Sequence, residues 1–388
     1  MRRDDLNQPL HKRSLSQRLW EKRPSALTAA YVAVLAGMIA GSTYVAKLPH
    51  PFAGEPIISL AMAPMEEIKT ASIEPLPEQP EDVIAEEIDP QEKISVKVEP
   101  SVEQQNYEQD AVIYVSPKTP LTKAPISSLV EVSAQGPLPR MAAGKKPSEA
   151  YARSVSKGII HSDAPKLVII LGGMGLNEKL TARAAKDLPS DITMAFAPYG
   201  ENLQAQVNKA RANGHEVLLQ LPLEPVGFPA ANPGPKTLLA DGAEAENLDA
   251  LYWHMSRFTG YTGVVNYMGG RFLASAPAVK PLLSELRKRG LLFIEDGSLP
   301  LSATEDVAET LNYEVRRGQT VIDANADPES IIAALNLLEE EARSNGTAIG
   351  TGSGLDTTIK TVNDWAKGAV ERGVVFVPAS AAFKGRLG

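Results

Sequence analysis

Four carboxylates in the second half of the chain have the residue type and placement best suited to chemistry. Glu224, Glu295, Asp296 and Asp323 each follow a short apolar run that is typical of a buried strand. In a parallel α/β fold the carboxyl ends of the strands meet on one face, where two carboxylates can act as general acid and general base. Two or more of these residues could form such a pair. Equally, Glu224 and Asp323 could cap loops or form ion pairs with Arg271.

Several other kinds of chemistry are excluded or disfavoured. The 388 residues contain no cysteine, which excludes disulfides, a thiolate nucleophile and thiolate-bound metals. Gly172-Gly-Met-Gly175 is not the G-x-G-x-x-G of a dinucleotide site, and Thr351-Gly-Ser-Gly354 lacks the lysine of a P-loop, so tight turns are the favoured interpretation of both. The formal net charge of −8 argues against general nucleic-acid binding.

Only two histidines lie beyond His161, and neither is expected to bind a metal. His215 begins a predicted strand, at the end opposite to the candidate site, and is expected to be structural. His254 falls outside the apolar stripe of its predicted helix and is expected to be solvated. Because a metal site needs converging histidine or carboxylate ligands, no metal and no other cofactor is predicted.

The elements that would position these residues alternate between strand and helix from about residue 165. Four helical segments end on a glycine, a residue that suits the left-handed position after a helix: Gly214, Gly290, Gly346 and Gly373. The predicted strands are 167–171, 192–196, 216–220, 263–266, 291–295, 319–322, 347–350 and 374–377. Strands alternating with helices predict a parallel sheet. Seven or eight strands in this length favour a closed or nearly closed β/α barrel over the alternative, a doubly wound open sheet.

The N-terminal region predicts a membrane anchor. Residues 26–46 carry no charge and are rich in apolar side chains, and about 20 such residues cross a bilayer as a helix. Basic side chains predominate in residues 1–25, which predicts a cytoplasmic tail, a single pass through the membrane and a C-terminal domain outside the cytoplasm. A cleaved signal peptide is the alternative.

Residues 47–164 are predicted to form a disordered, acidic and proline-rich linker. Between Met65 and Asp110 there are 14 Asp or Glu residues against three Lys, and prolines recur at 75, 77, 80, 90 and 100. A segment of this composition buries too little apolar surface to offset the entropy lost on ordering. A strip for binding a partner, for example residues 111–115, is the alternative.

From about Lys166 to the C-terminus the sequence resembles the divergent polysaccharide deacetylase family. The residues that carry the resemblance are Leu167–Leu176, Ala195–Tyr199, Gly214–Leu219, Leu221–Pro225, Asn232–Pro235, Asn266–Gly269, Gly290–Phe293 and Val377–Ser380. The resemblance implies an exported protein of a Gram-negative bacterium with a distorted (β/α)7-type barrel, like those of polysaccharide deacetylases and glycoside hydrolases. It covers residues 165–388, the predicted folded domain, and none of the anchor or linker.

The chain departs from the family pattern where a metal would bind. Gly172 and Gly173 stand in place of an Asp-Asp pair, Tyr267 in place of a histidine, and Thr351 and Gly352 in place of a His-Pro pair. Metal-dependent deacetylation needs a divalent ion to polarise the acetyl carbonyl and activate water. The resemblance therefore implies a deacetylase-like domain that has lost its metal ligands.

Three functions remain open at this point. The first is glycan binding or scaffolding, because aromatic faces beside planar hydrogen-bonding groups suit sugars; its ligand-binding residues would be Tyr199, Asn266, Tyr267, Arg271 and Asp323. The expected partner is then a cell-envelope polysaccharide or a peptidoglycan-type glycan. The second is a carbohydrate hydrolase with Glu224 and Asp296 as catalytic residues. The third is a module that binds an envelope protein.

Overall fold

The computed structural model describes residues 117–383. Its strands are β1 (Val130–Ser133), β2 (Gly136–Pro139), β3 (Lys166–Met174), β4 (Thr193–Phe196), β5 (Val217–Leu223), β6 (Gly263–Met268), β7 (Leu292–Glu295), β8 (Val315–Arg317), β9 (Thr320–Val321), β10 (Thr347–Ser353) and β11 (Val375–Phe376). Its helices are α1 (Pro147–Ala150), α2 (Lys157–Ile160), α3 (Glu178–Asp187), α4 (Leu203–Ala212), α5 (Glu244–Met255), α6 (Ala276–Arg289), α7 (Thr304–Thr310), α8 (Pro328–Asn345) and α9 (Asp356–Glu371).

The predicted parallel sheet is confirmed, and it is curled. Its strand order is β8-β7-β6-β5-β4-β3-β10-β9, with β11 paired to the start of β3, and every pairing is parallel. The two edge strands are consecutive in the chain. The residues between β8 and β9 connect the two edges of the sheet. The Gly318 amide donates to the carbonyl of Glu295 in β7, and the Gln319 amide donates to the carbonyl of Ile349 in β10. The fold is therefore a barrel-like α/β arrangement, and sequential order from β3 to β8 distinguishes it from a doubly wound sheet.

Both faces of the central strands are buried, as the unbroken apolar run of β3 predicted. Val168 and Ile170 pack with Leu218, Val265 and other side chains of one cluster, on the concave side of the sheet. The alternate residues of β3 belong to a larger cluster that includes the apolar stripes of the surrounding helices. Strand periodicity of two therefore divides the core into an inner and an outer layer.

The four predicted helix-ending glycines all have left-handed backbone conformations. The φ angles are +92° at Gly214, +67° at Gly290, +79° at Gly346 and +83° at Gly373. Because residues with a Cβ rarely adopt this conformation, each glycine allows the chain to leave a helix and enter the next strand within a few residues. The longest strand-to-helix connection, residues 224–243 after β5, lies on the opposite, carboxyl-end face.

Residues 117–164 correct the predicted extent of the linker, which was taken to reach 164. Leu129, Leu138 and Tyr151 are almost completely buried, and β1 pairs with β2 in an antiparallel hairpin. The buried guanidinium of Arg211 in α4 donates to the carbonyls of Thr122, Tyr151 and Gly260, which fastens this segment to α4 and to the loop before β6. Residues 117–164 therefore belong to the folded unit. The sequence missed this segment because its apolar residues are too sparse to show a period and bury themselves only against the sheet.

Within residues 117–383 no helix has both the length and the apolar character needed to cross a bilayer. The predicted tail (1–25), the predicted anchor (26–46) and most of the predicted linker lie outside the described residues.

Candidate functional site

A cleft of about 400 Å³ opens at the carboxyl ends of β3, β4, β5 and β6. Its walls are formed mainly by the loops that follow these strands and β10. The lining residues are Gly173, Met174, Leu176, Asn177, Leu180, Thr181, Ala197, Pro198, Tyr199, Gln220, Pro222, Pro233, Tyr267, Ser353, Gly354 and Leu355. The lining contains no Asp, Glu, His, Lys or Arg, so this cleft offers apolar surface, two phenol rings and neutral polar groups.

The floor of the cleft is built by Gln220 and by the glycines that end β3. Gln220 lies in the middle of β5, and its Oε1 accepts a hydrogen bond of 2.7 Å from the Gly173 amide. A Cβ atom added at Gly172 would lie 2.3 Å from Gln220 Nε2, well inside van der Waals contact. The Gln220 side chain therefore fills the space that any side chain at residue 172 would need.

Tyr199 forms one wall of the cleft, and residues outside the cleft fix its position. Its hydroxyl donates to the Pro235 carbonyl at 2.8 Å, and its ring packs against those of Trp253 and His254 with centroid separations of 6.3 and 6.0 Å. Burial raises the pKa of the Tyr199 hydroxyl, which keeps it protonated and donating. Tyr199 therefore anchors the loop around Pro235 against the cleft while presenting part of its ring to the interior.

His254 is buried and not solvated, which corrects the prediction made from its position outside the apolar stripe. It makes no contact with solvent, and its Nε2 lies 2.8 Å from the Lys236 carbonyl, to which it donates. Its Nδ1 has no hydrogen-bond partner among residues 117–383. The misprediction has a clear cause: the loop at 232–238 folds back over α5 and covers a face that the helix periodicity alone assigned to water.

Acid should destabilise the fold through His254. Burial, with Lys236 and Arg257 nearby, lowers the pKa of His254 from 6.5 to about 4. Between these values the unfolded chain binds a proton that the folded chain does not, so the free energy of unfolding should fall as pH falls from about 6.5 to about 4, by up to about 3 kcal/mol. Urea unfolding over this range should show a shallower pH dependence for His254→Gln, whereas His161→Gln, at an exposed site, should follow the wild type. Equal slopes for the wild type and His254→Gln would contradict this assignment.

Glu224 and Arg271, two of the predicted site residues, are engaged with each other outside the cleft lining. Glu224 is buried; its Oε1 accepts from Arg271, and its Oε2 accepts from the Ala240 amide at 2.6 Å. Arg271 also pairs with Asp241. These contacts tie the loop after β5 to the loop after β6, which is the loop-pairing alternative that the sequence left open.

Asn266 and Asp296 connect the ends of β6 and β7. The Asn266 amide group accepts from the Asp296 backbone N–H and donates to the Met268 carbonyl, both at 2.7 Å. Met268 has a φ of +58°, a conformation that costs energy for a residue with a side chain. The Asp296 carboxylate accepts from the Ser298 amide and hydroxyl at 2.9 and 2.7 Å. Asn266 therefore stabilises the turn that aims Tyr267 into the cleft.

Asp323 supports the loop after β10. One carboxylate oxygen accepts from the Ser353 amide and from the Thr358 hydroxyl, each at 2.8 Å.

Of the seven predicted site residues, the structure brings only Tyr199 and Tyr267 into the cleft lining. The residue that sequence reasoning missed is Gln220. Its signal was a single polar side chain inside the apolar run Val217–Leu223, where a strand buried on both faces should be apolar throughout.

The family model described as divergent polysaccharide deacetylase matches residues 169–383, more than half of the chain. The chain belongs to this family. A crystal structure of an uncharacterized protein from Agrobacterium tumefaciens C58 is 41% identical, covers 64% of this chain and 99% of its own, and superposes with a TM-score of 0.61.

Two bacterial relatives within the family are more distant in sequence. The uncharacterized protein YibQ of Escherichia coli K12 is 22% identical over 200 residues, which cover 51% of this chain and 61% of YibQ. An uncharacterized protein of Haemophilus influenzae is 22% identical over 194 residues, covering 50% of this chain and 68% of its own. This chain therefore covers about three fifths of the length of YibQ.

The side chains at the carboxyl-end face do not fit the divalent metal that the family resemblance implies. The cleft lining supplies no carboxylate and no imidazole, and residues 117–383 contain no group of three such side chains that could hold an ion. Gln220 fills the space beside Gly172, and Thr351 is buried with its hydroxyl donating to the Asp296 carbonyl at 2.7 Å. No catalytic step through a metal is therefore derived for this chain.

Proposed function

We propose that this domain binds a cell-envelope glycan in the carboxyl-end cleft and does not hydrolyse it. The observation that carries the proposal is the composition of the cleft lining: two tyrosine rings and neutral polar groups, with no carboxylate or imidazole. Aromatic faces cover the apolar faces of sugar rings, while neutral donors and acceptors bind their hydroxyl and amide groups. Family membership, which stands on the sequence match, is consistent with a role related to envelope carbohydrate.

The accessible part of Tyr267 is the best support for this proposal. Tyr267 is 41% exposed although it ends a central strand, and Leu176 and Leu355 on the facing loops are 59% and 45% exposed. Large apolar side chains around one opening are unusual on a surface that contacts only water. A sugar ring seated on Tyr267, with Leu176 and Leu355 at its edges, would cover this surface.

No observation in residues 117–383 favours the alternative of a hydrolase that uses Glu224 and Asp296. Glu224 already accepts hydrogen bonds from Ala240 and Arg271. Asp296 accepts from Ser298 of its own loop, and neither carboxylate lines the cleft. The third alternative, a module that binds an envelope protein, has the exposed apolar rim in its favour. It predicts that partner binding would not depend on the groups inside the cleft.

Removing the Tyr267 ring should abolish most of the affinity for a sugar. With chitotetraose as the probe, calorimetric titration of Tyr267→Ala should show binding about five- to tenfold weaker than wild type, since a stacked aromatic contact is worth about 1–1.5 kcal/mol. Tyr267→Phe keeps the ring face and should retain most of the affinity. Leu337→Ala removes an exposed apolar side chain on α8, outside the cleft, and serves as the control. Unchanged affinity in Tyr267→Ala would sink the proposal.

The proposal also concerns the cellular location of the domain. We propose that residues 26–46 anchor the chain in the inner membrane and that the following acidic segment holds the domain in the periplasm. The support is the charge asymmetry and the apolar run of the sequence. Such a tether would let one anchored domain reach glycan over several nanometres, because the span of a flexible chain grows as the square root of its length.

A further inference from the structure

The cleft is uncharged over its whole lining, and two charged side chains close to it, Asp323 and Arg271, are already engaged. One carboxylate oxygen of Asp323 accepts hydrogen bonds from Ser353 and Thr358. Arg271 forms ion pairs with Glu224 and Asp241. A charged ligand group entering the cleft would lose hydration without meeting an opposite charge. Desolvation of this kind is costly unless the group finds a partner.

Gln220 presents a directed hydrogen-bond donor at the floor. Because its Oε1 accepts from the Gly173 amide, the orientation of its amide group is fixed and Nε2 is the atom left for a ligand. Nε2 has no hydrogen-bond partner among the described residues 117–383, and the side chain is half-buried in the cleft. The floor can therefore donate to an uncharged acceptor such as a hydroxyl or amide oxygen, while an ammonium group would meet a donor instead of an acceptor.

The glycine at residue 172 keeps Gln220 in this place. A Cβ there would lie 2.3 Å from Gln220 Nε2 and 3.0 Å from Gln220 Cδ, so a side chain at 172 would displace the amide and break its bond to Gly173. The position of the Gln220 side chain therefore depends on the absence of a side chain at Gly172. The only hydrogen-bonding side chain that this pair brings to the floor is neutral.

We propose that the cleft selects uncharged sugar units and rejects those bearing a free amine or a carboxylate, with Gln220 as the residue that sets the selectivity. This inference rests on the proposed glycan-binding function and adds the chemical class of the ligand. The discrimination against an ammonium arises because it would face the Nε2 donor and no acceptor carboxylate, whereas a neutral acceptor gains the bond to Nε2. A carboxylate could accept the same bond, but its charge would lose hydration without meeting a cation in the lining.

The test compares three tetramers on the intact protein by calorimetric titration in mildly acidic buffer: chitotetraose (uncharged), its fully deacetylated form (one ammonium per sugar) and tetragalacturonate (one carboxylate per sugar). Wild type should bind chitotetraose at least about tenfold more tightly than either charged tetramer. Gln220→Glu places an acceptor and a negative charge at the floor. It should strengthen binding of the deacetylated tetramer by about tenfold and weaken binding of chitotetraose, which reverses the preference.

Gln319→Glu is the matched control. Like Gln220, Gln319 accepts a hydrogen bond at its Oε1 from a backbone amide, that of Ile349 at 2.6 Å. Gln319 lies outside the cleft lining. This variant should leave all three affinities unchanged, and thermal unfolding of both variants reports whether they fold.

Equal wild-type affinities for the charged and uncharged tetramers would keep the glycan-binding function and overturn the selectivity. An unchanged preference in a folded Gln220→Glu variant would overturn the role of Gln220. Absence of binding to all three tetramers would overturn the proposed function and this inference together.

Discussion

A chain that begins at residue 165, where the sequence places the start of the domain, is expected to lose cooperative folding. The truncation removes the buried side chains of Leu129, Leu138 and Tyr151, and it removes Arg153, whose Nε donates to the buried Asp191 at 2.8 Å. The Arg211 guanidinium would keep only the Gly260 carbonyl of its three acceptors. Leaving a buried charge unpaired costs about 3–5 kcal/mol, and exposure of the apolar surface adds to it. The sum is comparable with the whole stability of a typical domain, about 5–15 kcal/mol.

The comparison is between chains 117–388 and 165–388. Thermal unfolding followed by circular dichroism, with size-exclusion chromatography, should show one cooperative transition for the longer chain and aggregation or a broad transition for the shorter. Arg211→Ala in the longer chain measures the contribution of the Arg211 hydrogen bonds to stability separately from that of the apolar contacts. It should lower the free energy of unfolding by about 3–5 kcal/mol. If chain 165–388 is as stable as chain 117–388, residues 117–164 do not belong to the folded unit.

Glu216→Ala should be among the most damaging single substitutions in the domain. The Glu216 carboxylate lies completely buried at the amino end of β5 and accepts four hydrogen bonds, from the backbone amides of Arg153 and Ser380 and the hydroxyls of Ser380 and Thr262. Alanine would leave these donors buried without an acceptor. The expected loss in the free energy of unfolding is about 3–5 kcal/mol.

Glu216→Gln distinguishes loss of the hydrogen bonds from loss of the charge. Burial raises the pKa of the Glu216 carboxyl, so a neutral side chain of the same shape is tolerated better than a cavity. We expect Glu216→Gln to cost about 1–3 kcal/mol, because one acceptor oxygen becomes a donor that faces other donors. Urea unfolding of both variants should be compared with Glu309→Ala, at an exposed glutamate of α7, which should change stability by less than about 0.5 kcal/mol. A loss below about 1 kcal/mol in Glu216→Ala would refute the proposed role of this network.

These two predictions concern the end of the sheet opposite the cleft, and they bear on function. Arg153, Glu216 and Ser380 join the segment before β3, the start of β5 and the turn after β11. The network fixes the amino ends of the strands from three distant parts of the chain. The strands are thereby held in the register that places Gln220 and Tyr267 at the other end, where small displacements would alter the cleft.

The sequence alone determined the elements of the domain and their alternation. The apolar run of β3, the glycines at 214, 290, 346 and 373 and the stripes of the helices are local patterns, and local geometry follows from local residues. The family also followed from the sequence, because its landmarks lie in order along the same strands and loops. The sequence also shows Gly172 and Gly173 where the family resemblance led us to expect acidic residues.

The tertiary structure alone decided what the polar side chains do. Glu224, Asp296 and Asp323 all follow strands as predicted. Glu224 and Asp323 are bonded to loops that the sequence could not place beside them, whereas the Asp296 carboxylate is bonded to Ser298 of its own loop. His254 is buried by a loop from another part of the chain, and Gln220 acquires its role from a contact with Gly173, 47 residues away. The physical reason is that strand and helix depend on neighbours in the chain, whereas burial, hydrogen-bond partners and cleft charge depend on neighbours in space.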